Sequence, residues 1–271
     1  MNGASREALA AARERLDALT DHTSVDAGSL AAELADVTAL LHREVSLRRV
    51  LTDPAQEGEA KAQLVERLLG GQVSGTTADL VAGMVRNRWS RSRDLVDALE
   101  ELAADADLTE AQRRGALDSV EDEVFRFSRI VSSDSALRAA LTDTAASQAA
   151  KAGLLETLLG TRADKVTLRL ITRLVTRPRG RSLEEGLESL SKLAAARRGR
   201  MVATVVSAVP LSEPQKQRLG ASLAKLYGRP MHLNLEVDPA VIGGIKVHVG
   251  DEVINGSIAD RLDEASRRMA G

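Results

Sequence analysis

The sequence predicts a mainly α-helical chain in which a duplicated antiparallel helical-bundle region precedes a small α+β domain. Three observations carry this. Only four aromatic side chains occur in 271 residues (Trp89, Tyr227, Phe125 and Phe127). Cores must therefore be built from Leu, Ala, Val and Ile, and Leu and Ala at this density favour helices because neither loses much side-chain freedom there. A 24-residue stretch recurs ninety residues on: LRRVLTDPAQEGEAKAQLVERLLG at 47–70 and LRAALTDTAASQAAKAGLLETLLG at 137–160 share 14 positions without a gap. After Arg200 the texture changes to β-branched residues and period-two alternation, and four of the six prolines fall there.

The helical pass begins with Ser5–Thr20, which places Leu9, Ala12, Leu16 and Leu19 on one face, and Ser29–His42, which does the same with Leu30, Leu34, Val37 and Leu41. Asp53-Pro54 reads as an N-cap with Pro at the first helical position, opening a helix that stops at Gly70-Gly71. Thr77–Arg88 and Asp94–Ala104 complete the first copy. The repeat continues more weakly. Leu80 and Val85 meet Leu170 and Val175, and with one residue of slip Leu99 and Leu102 meet Leu190 and Leu193. The second copy shows no evident equivalent of Ser5–Thr20. Two copies are too few for a solenoid.

Beyond Arg200, Met201–Val209 predicts a strand and Pro210 ends it. Ser212 and Gln215 form a capping box for a helix reaching Leu226. His232–Val237 and Gly244–Val249 alternate as strands, Val253-Ile254 returns, and Ser257 caps a last helix over Ile258–Met269. The expected domains are 1–105, 106–200 and 201–271.

Charge is unevenly spread. Residues 1–105 hold 12 Lys+Arg against 18 Asp+Glu, residues 106–200 hold 17 against 13, and the remainder is balanced at 8 of each. This is not the strongly basic, aromatic-bearing surface of a nucleic-acid binder, so no nucleic-acid partner is expected. The absence of cysteine excludes disulfides and thiolate chemistry. No run of about 18 apolar residues exists, so no direct bilayer insertion is expected, and the N-terminus carries no apolar signal core. The histidines, His22, His42, His232 and His248, form no metal motif; His232 and His248 could face each other across strands, but without a third ligand. Gly70-Gly71 and Gly243-Gly244 lack the continuation of a phosphate loop. No catalytic residues, cofactor or metal are expected. The arginine run Arg173, Arg177, Arg179, Arg181, Arg197, Arg198 and Arg200 allows three readings: a solvated face, a contact to an acidic partner helix or to the acidic first copy, or an RNA or lipid surface.

The segment Leu235–Leu262, LEVDPAVIGGIKVHVGDEVINGSIADRL, resembles the C-terminal signature of the ATP synthase delta subunit family, called the oligomycin-sensitivity-conferring protein in mitochondria. The positions that carry it are Asp238, Ile242, Gly243, Gly244, Gly250, Asp251, Val253, Ile254, Gly256, Ser257, Arg261 and Leu262. Asn255 stands where the family usually has Asp, and Ile258-Ala259 where it usually has Val-Arg. Residues 110–200 resemble the family's helical domain beyond its first helix, and the first 105 residues resemble it less closely. The departure is the duplication, a form similar to delta subunits of high-GC Gram-positive bacteria. Physically, the signature is made of turns and a cap: glycines admit φ > 0 or close approach, and none of its groups is reactive.

The resemblance implies a non-catalytic stator subunit, one copy per hetero-oligomeric complex, peripheral to the cytoplasmic face of the bacterial cell membrane. It would join the catalytic head to the b subunit and resist rotor torque. The partners implied are the alpha-subunit N-terminal helices, gripped between the first and fifth helices, and the b subunit, held by the C-terminal domain. The matching groove positions are Leu9, Ala12 and Leu16 on the first helix and Ala78, Val81, Ala82 and Val85 on the fifth. The same period describes plain core, so both readings stand. The second function class is a helical adaptor or regulator docking on another large complex.

Overall fold

The computed structural model describes residues 1–21, 25–198, 201–227, 231–238, 244–249 and 252–255. It is mainly helical with a small sheet. The chain forms two compact units, one from residues 1–20 and 25–197, the other chiefly from residues beyond 198.

The helical unit runs α1 (Gly3–Asp21), α2 (Ala27–Arg43), α3 (Val45–Thr52), α4 (Gly58–Leu69), α5 (Gly75–Arg86), α6 (Ser92–Arg113), α7 (Leu117–Ser133), α8 (Ser135–Thr142), α9 (Gln148–Leu159), α10 (Lys165–Thr176) and α11 (Leu183–Arg198). Helices α2 to α5 begin and end ninety residues before α7 to α10. Short polar side chains start several of them. Asp26 caps α2, Ser74 caps α5, Asp134 caps α8, Ser147 caps α9 and Asp164 caps α10, each accepting from a backbone amide in the first turn.

Helix α6 accounts for the first helix that the second copy lacks in sequence. Its residues 93–111 stand ninety beyond Gly3–Asp21, so it closes the first copy and opens the second. A helix shared by two bundles must be buried on both faces. Leu95, Leu99, Leu102, Ala106, Leu108 and Ala111 are buried, and so are Asp105, Asp107 and Thr109. The expected seam at 105/106 falls inside this helix, and the predicted end at Ala104 comes short of its end at Arg113.

Asp53-Pro54 does not open a helix. Asp53 follows α3, and its Oδ1 accepts from the Ala55 amide at 2.9 Å, a side-chain turn that places Pro54 before the next helix begins at Gly58. Helix α3 itself was not predicted: at eight residues it is too short to stand alone and is held by packing against α2 and α6.

The first copy has one continuous core cluster, running from Ala8 through Leu34, Val65, Val85 and Leu99 to Ala106. The second copy is divided in two. Val120, Val124, Val166 and Leu170 gather with Ala104 and Leu108 at one end, and Phe127, Leu155, Ile171 and Leu187 at the other.

In the other unit, β1 (Met201–Ser207) leads through α12 (Glu213–Tyr227) to β2 (Met231–Val237), β3 (Ile245–Val249) and β4 (Glu252–Asn255). The Ser212 amide donates to Gln215 Oε1 at 2.8 Å, the capping box expected at the start of α12. The sheet order is β2-β1-β3-β4, with β1 parallel to β2 and the other pairs antiparallel. Ala203, Val205, Leu233, Val247 and Val249 turn toward Leu223 of α12. His232 and His248 do not face each other: β1 lies between their strands, with Val202 opposite His232 and Thr204 opposite His248. The last predicted helix, Ile258–Met269, lies outside the described residues. Among the described residues no helix is long and apolar enough to cross a membrane, and no group of three His, Cys, Asp or Glu could hold a metal ion.

Candidate docking groove

The residues that the resemblance places in a groove lie mostly in the core. Leu9, Ala12, Leu16, Val81, Ala82 and Val85 are buried in the first copy's core, and Ala78 is half-buried. A cleft of about 280 Å³ opens between the same two helices one position further round. Ala11, Ala12 and Arg15 line it from α1, and Asp79, Gly83 and Arg86 from α5. Ala12 alone belongs to both sets. Buried Leu80 and Met84 also line it, and a Cβ added at Gly83 would meet nothing within 4 Å. The polar rim and the buried row beneath it are the two sides of one amphipathic arrangement.

Arg173, Arg179, Arg181 and Arg197 of the arginine run are not a solvated face. Most of the run packs against α6, with Arg179 and Arg181 reaching carboxylates of the acidic first copy. Arg173 donates to Asp107 at 2.7 Å and Arg169 to the other oxygen of the same carboxylate at 2.6 Å. Arg179 pairs with Asp97 at 2.9 Å and also with Glu100, which Arg181 reaches at 2.5 Å. Arg177 donates to the Ala35 carbonyl at 3.2 Å. At the end of α11, Arg197, 2% exposed, donates to Gln112 at 2.9 Å and lies 3.7 Å from Asp105. Arg198 is exposed, and Arg200 lies outside the described residues. The row Asp97, Glu100, Asp105, Asp107 and Glu110 along α6 is thus matched by cations from α10, α11 and the segment joining them. Burial pushes the Asp107 carboxyl above its ordinary range, against the pull of its two guanidiniums. Glu110 is also penalised by burial, but Lys165 and Arg169 outweigh this and hold it below the ordinary value. Pairs of this kind fix one arrangement of two helices, because breaking them strands a charge away from water.

Of the family signature, Asp238, Gly244, Val253 and Ile254 are described. The Asp238 amide donates to the Ser207 carbonyl at 3.0 Å, extending the pairing of β1 with β2. Gly244 has φ +78°, a left-handed turn into β3 that a side chain would resist. Val253 and Ile254 pair with His248 and Val247 in the β3–β4 ladder. Ile242, Gly243, Gly250, Asp251, Gly256, Ser257, Arg261 and Leu262 lie outside the described residues.

Known proteins resemble the chain along its whole length. The sequence matches the family described as ATP synthase delta (OSCP) subunit over residues 17–109 and again over 104–269. The two matches overlap within α6. The chain is 77% identical over 270 residues to the ATP synthase subunit delta of Streptomyces coelicolor, covering 100% of this chain and 98% of that one. It is 74% identical over 271 residues to the subunit delta of Streptomyces griseus and 48% identical over 271 residues to that of Thermobifida fusca, each pair covered in full.

Proposed function

The chain belongs to the ATP synthase delta (OSCP) subunit family, and from that premise we propose how it holds its partners. It is a non-catalytic peripheral-stalk subunit of an F-type ATP synthase. In our reading the helical unit grips an N-terminal helix of the alpha subunit in the α1/α5 cleft, and the unit that carries the sheet holds the b subunit. One copy serves each complex, peripheral to the cytoplasmic face of the cell membrane and attached to it through b.

The observation that carries the reading is the cleft itself: the small residues Ala11, Ala12 and Gly83 in its lining, a polar rim, and a continuous packed core directly behind it. A stator must transmit torque without yielding. A helix laid in a groove supplies contacts at i, i+3, i+4 and i+7 that hold register, and a close-packed backing has few soft modes with which to give way. The ion-paired α6/α10 interface extends that backing into the second copy.

The test is reconstitution of the full chain with alpha and b. A ternary complex is expected, with Gly83→Trp losing alpha and retaining b. A chain that binds neither subunit would defeat the assignment of partners.

A further inference from the structure

Arg179 stands ninety positions beyond Trp89, and the two copies use that place differently. Trp89 is buried in the first core, and its Nε1 donates to the Met84 carbonyl at 2.8 Å. It ties down the segment between α5 and α6 by apolar burial. Arg179 holds the same place between α10 and α11. Its backbone is left-handed, with φ +52°, a conformation disfavoured for any residue that bears a Cβ. Charge keeps it there. Its guanidinium pairs with Asp97 at 2.9 Å and with Glu100, and its carbonyl accepts from Arg93. Arg181 reaches Glu100 at 2.5 Å. All of these partners lie on α6.

The fastening is incomplete. The Nε atoms of Arg179 and Arg181 are buried without a hydrogen-bond partner, and a buried donor left unmade costs stability.

Helix α11, which this segment enters, is fastened in the same way at its far end. Arg197 donates to Gln112 at 2.9 Å and lies 3.5 Å from Asp17 and 3.7 Å from Asp105. Between the two ends the apolar attachment is thin. Helix α6 gives seven buried side chains to the first core, whereas α11 gives Leu183, Leu187 and Ala194 to the second copy's divided core. Gly186 lets Leu174 of α10 come close; a Cβ there would meet it at 2.3 Å. Further along, a cavity of about 750 Å³ lies between α11, α6 and α10, with half-buried Leu190 and Leu193 in its wall. Among the described residues no helix runs close alongside α11 as α2 runs along α6.

We propose that α11 is a clasp, closed by the arginines at its two ends, which opens as a unit while α2 to α6 stay folded. Segments that open first are those with few buried apolar contacts, and here a strained turn and two orphaned donors add to the cost of staying closed. Helix α11 is the last helix before the chain passes to β1. Tension on the sheet-bearing unit therefore reaches the helical unit through α11, and the clasp is where it is first released. This holds whatever partners the chain binds.

The experiment is hydrogen exchange of the full chain, read by mass spectrometry. Amides of 183–198 are expected to be at least about tenfold less protected than those of α5 and α6. Asp97→Asn combined with Glu100→Gln removes the charges that hold the start of the clasp. It should lower protection in 183–198 by about a further tenfold and leave α2 to α5 unchanged. Arg179→Asn keeps a residue that tolerates the left-handed turn and should do the same; it decides the matter if the double variant misfolds. An α11 that exchanges in step with α6 in the parent chain overturns the clasp. So does an α11 indifferent to both changes. A loss of protection spread evenly from α2 to α11 overturns it too, because the pairs would then hold the whole unit rather than this helix.

Discussion

Glu33 and Glu123 stand ninety residues apart and do the same work. Glu33 accepts from the Ser74 amide at 3.0 Å and from the hydroxyls of Ser74 and Thr77, and Glu123 accepts from the Asp164 amide at 2.9 Å and the Thr167 hydroxyl at 2.5 Å. Each ties the second helix of its copy to the first turn of the fifth, so the duplication preserves a tertiary hydrogen-bond set as well as a run of sequence. Glu33→Gln and Glu123→Gln should therefore cost similar amounts, about 1–2 kcal/mol each, since hydrogen bonds to a charged group are the stronger kind and both sites are partly exposed. Urea unfolding measures this. A loss confined to one variant would mean that only one of the two ties bears load.

Acid should weaken the helical unit. Burial pushes Glu33 up, but the hydrogen bonds from Ser74 and Thr77 prevail and hold it below its ordinary 4.5. Glu110 is likewise held below 4.5, by Lys165 and Arg169 against burial. Asp164 lies below 3.8, where Arg114 and the Val166 amide overcome burial. A carboxyl depressed on folding contributes stability that is present above its unfolded value and is lost as pH falls through the folded one. Asp107, raised by burial, acts in the opposite sense and offsets part of the loss. The net expectation is a falling thermal midpoint between about pH 5 and about pH 3. A midpoint that stays level there would contradict it.

Asp107→Ala should destabilise by about 3 kcal/mol, because it strands Arg173 at a half-buried interface and leaves Arg169 with Glu110 as its one remaining carboxylate. Circular dichroism in denaturant reads the loss. A neutral result would show that the two arginines find water or Glu110 at no cost.

Gly83 separates groove from fold. Its Cβ position is open and its helix is regular, so Gly83→Ala should raise stability by about 0.5–1 kcal/mol by restricting the unfolded chain. Gly83→Trp should melt close to the parent chain yet bind the alpha-subunit helix at least about tenfold more weakly, the size expected when one contact of about 1.4 kcal/mol is blocked. Equal binding by both variants would place the alpha helix elsewhere.

Several features were legible because they are local. The stripe Leu30, Leu34, Val37 and Leu41 announces α2, and all four side chains are buried. The Ser212–Gln215 capping box and the alternation of β3, which buries Val247 and Val249, follow from spacing over a few residues. Helix α3 was not legible, because eight residues carry too little periodicity and are held by neighbours. Asp53-Pro54 misled because Asp followed by Pro suits both a helix start and a side-chain turn, and the length of chain to Gly58 decided for the turn. The arginine run could not be placed from sequence: a cation looks the same on a wet face and against a carboxylate supplied some seventy residues away.

By itself the sequence determined the helical class, the ninety-residue repeat and the family, since each is written in period, cap chemistry and turn residues that act over one or two turns of chain. Tertiary structure decided the rest. A 3.6-residue period says that α1 and α5 have an apolar face but not where the cleft opens beside it, and that depends on which residues meet across the interface. Nor does it say that α6 belongs to both copies. Only packing from two sides at once, with Asp105 and Asp107 buried against arginines of α10 and α11, makes one helix the end of the first bundle and the beginning of the second.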